Sequence, residues 1–187
     1  MRTLAVWLGL LGAATNLYAA PHDVPLNFSA TGQVQVGFTP WHNVEQMIID
    51  ALASARKQVL VQSYLFTSKT IAHALLAAKR RGVDVKVLTD HDALMNGDNS
   101  SIPTLAAQGI PVWLEVRYKI AHNKIIIIDG MTAHPAVITG SYNFTRSAQR
   151  ANAENALILR DNIPLARSYV QNWERHQADA LPYDRTK

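Results

Sequence analysis

Apolar residues recur along this chain at spacings that alternate between those of strands and those of helices. Residues Gln33–Phe38 alternate polar and apolar side chains, which predicts a half-buried strand closed by Pro40. Residues 44–55 repeat apolar positions at helical spacing, and residues 58–66 are rich in β-branched and aromatic side chains. The mature fold therefore opens with a strand, a helix and a buried strand.

The same alternation continues towards the C-terminus. Ser68 is placed to cap a helix that ends at Arg81, where Gly82 supplies the expected stop. The remaining predicted elements are a strand at 83–89, a polar loop at 90–101, a short helix ending at Gly109, strands at 112–116, 125–128, 136–139 and 156–159, and a helix at 164–178. This order predicts an α/β fold with a mixed β-sheet flanked by helices on both faces.

The first twenty residues follow a different pattern. Arg2 gives a positive start, residues 4–14 form an apolar run, and small residues precede Pro21. This pattern is typical of a secretory signal, because a membrane span needs roughly 20 apolar residues. We predict a signal peptide at residues 1–19, cleaved after Ala19, and a single domain at 20–187. The product is expected in the periplasm or secreted, with no stable membrane insertion after cleavage.

Composition narrows the chemistry. The 187 residues contain no cysteine, which excludes disulfides, thiolate metal sites and cysteine nucleophiles. The net charge of +4 is uneven: residues 1–116 hold eight basic and eight acidic side chains, whereas residues 117–187 hold ten basic and six acidic ones. An anionic partner is therefore expected at the C-terminal part of the chain.

Five side chains in that basic part form a candidate catalytic set. His122 and Lys124 stand two apart at the start of an apolar strand, a spacing that predicts projection to one face. Ser141 and Asn143 offer a hydroxyl and a carboxamide after a glycine, and Glu154 precedes the next strand, where it could hold an imidazole N–H. These groups suit phosphoryl transfer on a histidine nucleophile, with no metal and no cofactor required.

The motif resembles that of a known family. His122-x-Lys124-x4-Asp129 followed by Gly140-Ser141-x-Asn143 is similar to the signature of the phospholipase D superfamily. The flanking segments, at 38–40, 63–67, 77–87 and 140–145, resemble its small secreted, metal-independent endonuclease branch, and the likeness covers residues 33–176. The residues between Asp129 and Gly140 are more numerous than is typical of the family, which predicts a longer hairpin turn with His134 as a loop residue.

The resemblance implies roles for these positions. His122 would form a phosphohistidine, Lys124, Ser141 and Asn143 would bind the phosphate, Glu154 would orient His122, and Asp129 would be structural. The family's mechanism needs two histidines, and among the seven here only His122 has a lysine two residues later. The chain thus carries half a site, so we expect a homodimer with both His122 side chains at one phosphate.

Basic residues near the motif favour a nucleic-acid substrate. Arg117, Lys119, Arg146 and Arg150 flank it, as in a groove that follows successive phosphates. No base-reading module is evident, so little sequence specificity is expected, and DNA and RNA are both candidates. Two alternatives remain open. A phospholipase D-type lipid phosphodiesterase would need an apolar surface near the motif, for which Trp113 with Leu114 is the candidate, and a non-catalytic nucleic-acid binder would use the basic part without turnover.

Overall fold

Apolar and β-branched segments of the chain pair into one eight-stranded mixed sheet in the computed structural model, which describes residues 24–184. The strands are β1 Gln33–Phe38, β2 Gln58–Ser63, β3 Asp84–Asp90, β4 Val112–Glu115, β5 Lys124–Ile128, β6 Ala136–Gly140, β7 Asn155–Arg160 and β8 Leu181–Pro182. They lie in the order β1-β7-β6-β5-β2-β3-β4-β8. The β2–β3 and β3–β4 pairs are parallel and the other pairs are antiparallel.

Helices cover both faces of this sheet, as the sequence predicts. They are α1 Val44–Ala53, α2 Lys69–Arg80, α3 His91–Asn96, α4 Ile102–Ala107, α5 Arg146–Arg150 and α6 Ile163–Ala178. The larger core cluster joins one sheet face to α1, α2 and α4. A smaller cluster joins the other face to α6 through Ala166, Val170 and Trp173. The α/β prediction with helices on both faces is therefore confirmed.

Side-chain caps fix several helix boundaries. Ser68 accepts a hydrogen bond from the Ile71 amide at 3.1 Å, and α2 begins directly after it. Gly82 follows the helix with a φ of 88°, a conformation that glycine adopts without strain. These two features explain why the bounds of α2 agree with the sequence pattern.

Three elements differ from the sequence prediction. Residues 90–101, predicted as a loop, contain α3, because Asp90 caps it by accepting the Ala93 amide at 2.7 Å. The short helix α5 begins after Thr145, whose hydroxyl accepts the Ala148 amide at 3.1 Å. The two-residue strand β8 pairs with β4 at the end of the sheet.

The N-terminal prediction lies outside the described residues. The signal peptide at residues 1–19 and its cleavage after Ala19 fall before residue 24, where the description begins. Between residues 24 and 184, none of the helices is both long and apolar enough to cross a membrane.

Within residues 24–184, one part of the sheet has no helix on its α6 side. The helix α6 packs on β2, β4, β5 and β6. Beyond it, Val34, Val36 and Phe38 of β1 are exposed on the same face as Leu157 and Leu159 of β7, which are half-buried. We call these five residues the β1–β7 face. It is apolar, and it reaches the end of β1 at which Phe38 pairs with Asn155.

Asp129 ties the end of β5 to the turn between α1 and β2. Its carboxylate accepts the backbone amides of Arg56, Lys57 and Gln58 at 2.7–2.9 Å, and the residue is buried. It lies at the opposite end of β5 from Lys124. These contacts support the interpretation of Asp129 as a structural residue.

Removing this carboxylate should lower stability without changing the chemistry. Asp129→Ala leaves three amide donors without their acceptor, and we expect the free energy of unfolding to fall by about 3 kcal/mol. Asp129→Asn keeps one acceptor oxygen and should lose less. Urea unfolding measures both changes. A large drop in turnover per folded molecule would contradict the structural role.

Candidate active site

The sequence motif converges at one edge of the sheet. Strand β2 ends where Ser63 pairs with Lys124 at the start of β5, and β6 ends where Gly140 pairs with Ala156 of β7. We call this the motif edge. Since antiparallel neighbours bring the start of one strand beside the end of the next, residues distant in sequence meet here.

Gly140 is required at the motif edge by close packing between β6 and β7. Its φ is 150°, and a Cβ atom at this position would lie 2.3 Å from the backbone oxygen of Asn155. A side chain would therefore push the two strands apart. The glycine sets the position of Ser141, which follows it.

His122 lies two residues before Lys124, the first residue of β5, and both side chains contact the ring of Tyr64. The β2 pairing continues only as far as a 2.9 Å bond from the Tyr64 amide to the Asn123 oxygen. The His122 side chain is exposed, and its ring lies 4.5 Å from the ring of Tyr64, centroid to centroid. Within residues 24–184 neither imidazole nitrogen of His122 has a hydrogen-bond partner. The ring contacts Tyr64 at an interplanar angle of 51° and is open to a ligand.

Lys124 is buried beside this imidazole, with 6% of its surface exposed. Its ammonium donates a 2.7 Å hydrogen bond to the His122 oxygen and lies 5.0 Å from the centre of the Tyr64 ring. Burial lowers the pKa of Lys124 from 10.5 to about 8, and the negative charge of Glu154 opposes this shift. An ammonium has three donors, so two remain for an anion.

The lowered pKa of Lys124 predicts a pH dependence. As the pH rises through about 8, the free protein loses the positive charge of Lys124, and kcat/KM for a nitrophenyl phosphodiester should fall. Lys124→Arg should move this fall beyond about pH 10, because guanidinium stays charged there. A pH profile measured for both proteins checks this. If the fall at high pH is the same in Lys124→Arg, the ionisation that causes it belongs to another group.

Ser141 and Asn143 follow Gly140 at the same edge. The Ser141 hydroxyl accepts the Asn155 backbone amide at 3.0 Å and its side-chain amide at 3.3 Å, which fixes its position. A hydroxyl that accepts two hydrogen bonds keeps its own proton for donation. The Asn143 side chain is half-buried, and its Oδ1 has no hydrogen-bond partner within residues 24–184. Both side chains therefore keep hydrogen-bonding capacity for a ligand.

Glu154 lies at the motif edge but does not hold His122 within one chain. Its carboxylate accepts the Asn152 side-chain amide at 2.9 Å, and its negative charge acts on Lys124. Its backbone is fixed by Thr39, whose hydroxyl accepts the Glu154 amide at 3.1 Å. No hydrogen bond joins Glu154 to His122 in the part of the chain that the structure describes.

Two residues that support the site at this edge are not predicted from the sequence. Tyr64 contacts both His122 and Lys124, as described above. Asp90 accepts the Ala121 amide at 2.7 Å, so the residue that caps α3 also fixes the backbone next to His122. The sequence shows only that Tyr64 and Asp90 lie near the ends of predicted strands. Their contacts become visible only when the order of the strands in the sheet is known.

The predicted phosphate-contacting residues lie on opposite sides of the motif edge. Arg146 and Arg150 of α5 line a groove of about 1050 Å³ on the α1 and α2 side. Arg117 and Lys119 are exposed on the loop between β4 and β5, where Arg117 pairs with Asp179 at the end of α6. The structure thus brings Arg146 and Arg150 together in one groove, and it places Arg117 and Lys119 on a different loop.

The longer spacer between Asp129 and Gly140 is divided between a turn and a strand. Residues 130–135 connect β5 to β6, and the remaining residues belong to β6. His134 lies exposed in this turn with its Nδ1 3.2 Å from Asp161. The additional residues are thus at the end of β5 and β6 that is opposite to the motif edge.

Comparisons with known proteins agree with this fold. Residues 48–177 match the family described as cardiolipin synthase, PLD-like domain. The chain is 35% identical over 188 residues to a phospholipase D of Rickettsia bellii, covering 94% of this chain and 90% of that protein. It is 33% identical to a mitochondrial cardiolipin hydrolase of Xenopus tropicalis, covering 71% and 61%. The crystal structure of Nuc, a phospholipase D family member from Salmonella typhimurium, is 35% identical with a TM-score of 0.74, covering 81% and 97%.

These similarities define the class of the protein as a phosphodiesterase. The chain belongs to the phospholipase D superfamily, as its sequence motif indicates.

Proposed function

We propose that the protein is a metal-independent endonuclease that hydrolyses DNA with little sequence specificity, with RNA as a second candidate substrate. The observation that carries the nucleic-acid assignment is the groove beside the motif edge. Lys69, Arg146 and Arg150 line it, so a chain of phosphates leaving the site would meet positive charge. Lys119 adds positive charge on the loop before β5, where Arg117 pairs with Asp179.

The proposed reaction proceeds through a covalent intermediate. An imidazole nitrogen of His122 attacks phosphorus and forms a P–N bond while the P–O bond to the leaving group breaks. A second histidine gives its proton to that oxygen. Water then attacks phosphorus, its proton goes to the same second histidine, and the P–N bond breaks. Lys124, Ser141 and Asn143 bind the non-bridging oxygens, whose charge increases in the transition state.

The second histidine in this scheme is the partner subunit's His122. One chain supplies a single His-x-Lys unit, and the β1–β7 face offers an apolar surface next to the motif edge. A two-fold axis beside this face would bury it against a second copy and bring two motif edges together. We propose that Glu154, which has no bond to His122 in its own chain, orients the imidazole at the dimeric site.

The function is tested by cleavage of supercoiled plasmid in excess chelator. We expect nicked and then linear DNA, because the proposed phosphoryl transfer uses only side chains. Cleavage that stops in chelator and returns with a divalent cation would overturn the metal-independent mechanism. Binding without any cleavage would assign the protein as a nucleic-acid binder.

A second candidate function is phospholipid hydrolysis. Trp113 and Leu114, the candidates from sequence, are half-buried and buried, and Trp113 packs on Trp173 with ring centroids 6.1 Å apart. Exposed apolar side chains instead lie on the loop before His122, alternating with the basic residues there: Val116, Tyr118 and Ile120. Basic and apolar residues together favour an anionic lipid surface. Release of headgroup from phosphatidylcholine or cardiolipin vesicles without DNA cleavage would establish this function.

A further inference from the structure

The groove beside the motif edge has the size and charge of a polymer site. It lies between the N-terminal ends of α1 and α2 and the short helix α5. Its volume of about 1050 Å³ is at the upper limit of small-ligand sites, roughly 300–1,000 Å³. Among the described residues that line it, Glu45 is the single carboxylate, and it accepts a 2.6 Å hydrogen bond from the Ser68 hydroxyl. The groove is therefore lined by three cationic side chains, Lys69, Arg146 and Arg150, and by one carboxylate that already accepts a hydrogen bond.

Trp41 stands on the rim of this groove with 81% of its surface exposed. The turn that carries it is held by hydrogen bonds. The His42 amide donates to the Phe38 oxygen at 2.8 Å, the Phe38 amide to the His42 Nδ1 at 2.9 Å, and the Gln149 side chain to the His42 oxygen at 3.0 Å. Because these hydrogen bonds fix the turn, the indole is presented at low conformational cost.

The turn and the groove wall are joined directly to the motif. Thr39, two residues before Trp41, donates from its backbone amide to the Glu154 oxygen at 3.0 Å. On the other wall, the Thr67 amide donates to the oxygen of Phe144, the residue after Asn143, at 3.0 Å. These two bonds join the Trp41 turn and the Thr67 wall of the groove to the segments that carry Glu154 and Asn143.

We propose that this groove binds an unpaired stretch of the nucleic-acid substrate next to the scissile phosphate, with one base stacked on the Trp41 indole. Lys69, Arg146 and Arg150 contact the phosphates on either side of that base. The inference rests on the proposed nuclease function and specifies its substrate as single-stranded or locally unpaired nucleic acid.

Stacking on Trp41 discriminates by strand state and not by sequence. Every base has a π-face, so an indole accepts each of them. In a duplex both faces of a base are covered by its neighbours, and an exposed side chain can stack only after a base leaves the helix. The free-energy cost of unstacking a base is lower in a single strand, so a single strand should be the better substrate.

Steady-state kinetics test the role of Trp41. For Trp41→Ala we expect KM on a single-stranded oligonucleotide to rise about tenfold, within the range for loss of one base stack, with little change in kcat. Trp41→Phe should restore most of the affinity. Hydrolysis of a nitrophenyl phosphodiester, which does not reach the groove, should be unchanged. Met131→Ala, an exposed apolar residue at the far end of the sheet, is the matched control.

Fluorescence gives an independent measurement of the contact. Within residues 24–184 Trp173 is buried and Trp113 half-buried, so Trp41 is the accessible indole. Oligothymidine added to a His122→Ala protein, which does not consume it, should quench the emission. The quench should be absent when Trp41→Phe is added to that background, while the oligonucleotide still binds.

The outcomes separate this inference from the proposed function. If the wild-type protein cleaves no DNA, the proposed function fails first. If it cleaves DNA but Trp41→Ala leaves KM and the quench unchanged, the groove assignment is overturned and the nuclease function stands. Equal losses on the oligonucleotide and the small diester would make Trp41 a structural residue. A loss confined to lipid vesicles would assign the indole to a membrane surface.

Discussion

Replacing His122 by alanine is expected to reduce phosphodiester hydrolysis by at least about 10⁴-fold, because the substitution removes the proposed nucleophile. The variant should fold normally, since the His122 ring is exposed and its removal loses only a tilted ring contact with Tyr64. Circular dichroism and unfolding in urea check the fold. Rates on plasmid and on a nitrophenyl phosphodiester check the chemistry.

A matched histidine makes this test specific. His134→Ala removes an exposed imidazole from the turn between β5 and β6, where it pairs with Asp161. We expect its activity to equal that of the wild type. Mass spectrometry of the acid-labile adduct should find phosphate on His122 in the wild-type protein. Substantial turnover by His122→Ala, or an adduct on another residue, would refute the assignment.

The second large effect is expected from breaking the proposed dimer. Val36 is exposed in the middle of the β1–β7 face, and Val36→Glu places a charge where a second copy would bury apolar surface. We expect sedimentation equilibrium to show a monomer. We also expect kcat/KM to fall by at least about 100-fold, because the general acid is lost with the partner. Met131→Glu, exposed at the other end of the sheet, should remain dimeric and active.

Subunit mixing tests the shared site without changing the interface. Equal amounts of wild type and His122→Ala, unfolded and refolded together, give about one quarter of dimers with two His122 side chains if pairing is random. Activity should then be about a quarter of the wild-type value for the same total protein. A value of about one half would show that each subunit works alone and would overturn the two-histidine site.

The sequence is sufficient for most of the fold because local signals mark it. Strand β1 and helix α2 agree with prediction since alternation, the Ser68 cap and Gly82 all lie within the segments that they define. Helices α3 and α5 are not predicted from the sequence, because their six and five residues are too few to show a hydrophobic period. Both helices depend on their capping residues, Asp90 and Thr145.

The candidate site is harder to predict from the sequence, because its contacts join residues on different strands. The spacing of His122 and Lys124 suggests strand alternation, yet the geometry depends on Tyr64 at the end of a neighbouring strand. Likewise, Asp90 reaches Ala121 only because β3 and β5 lie on either side of β2. The roles given to the five motif residues, and the division into a signal peptide at 1–19 and one domain at 20–187, stay predictions.

The turn at residues 130–135 offers a practical handle on this protein. Strand β5, with five residues, places the turn about 15 Å from Lys124, and Ile127 of β5 pairs with Val137 of β6 between the turn and the motif edge. Met131 and His134 are exposed there, whereas Gly130 is packed against Val170. A fluorophore or an affinity peptide inserted after Met131 would therefore tether or label the molecule while leaving the groove, the motif edge and the β1–β7 face open.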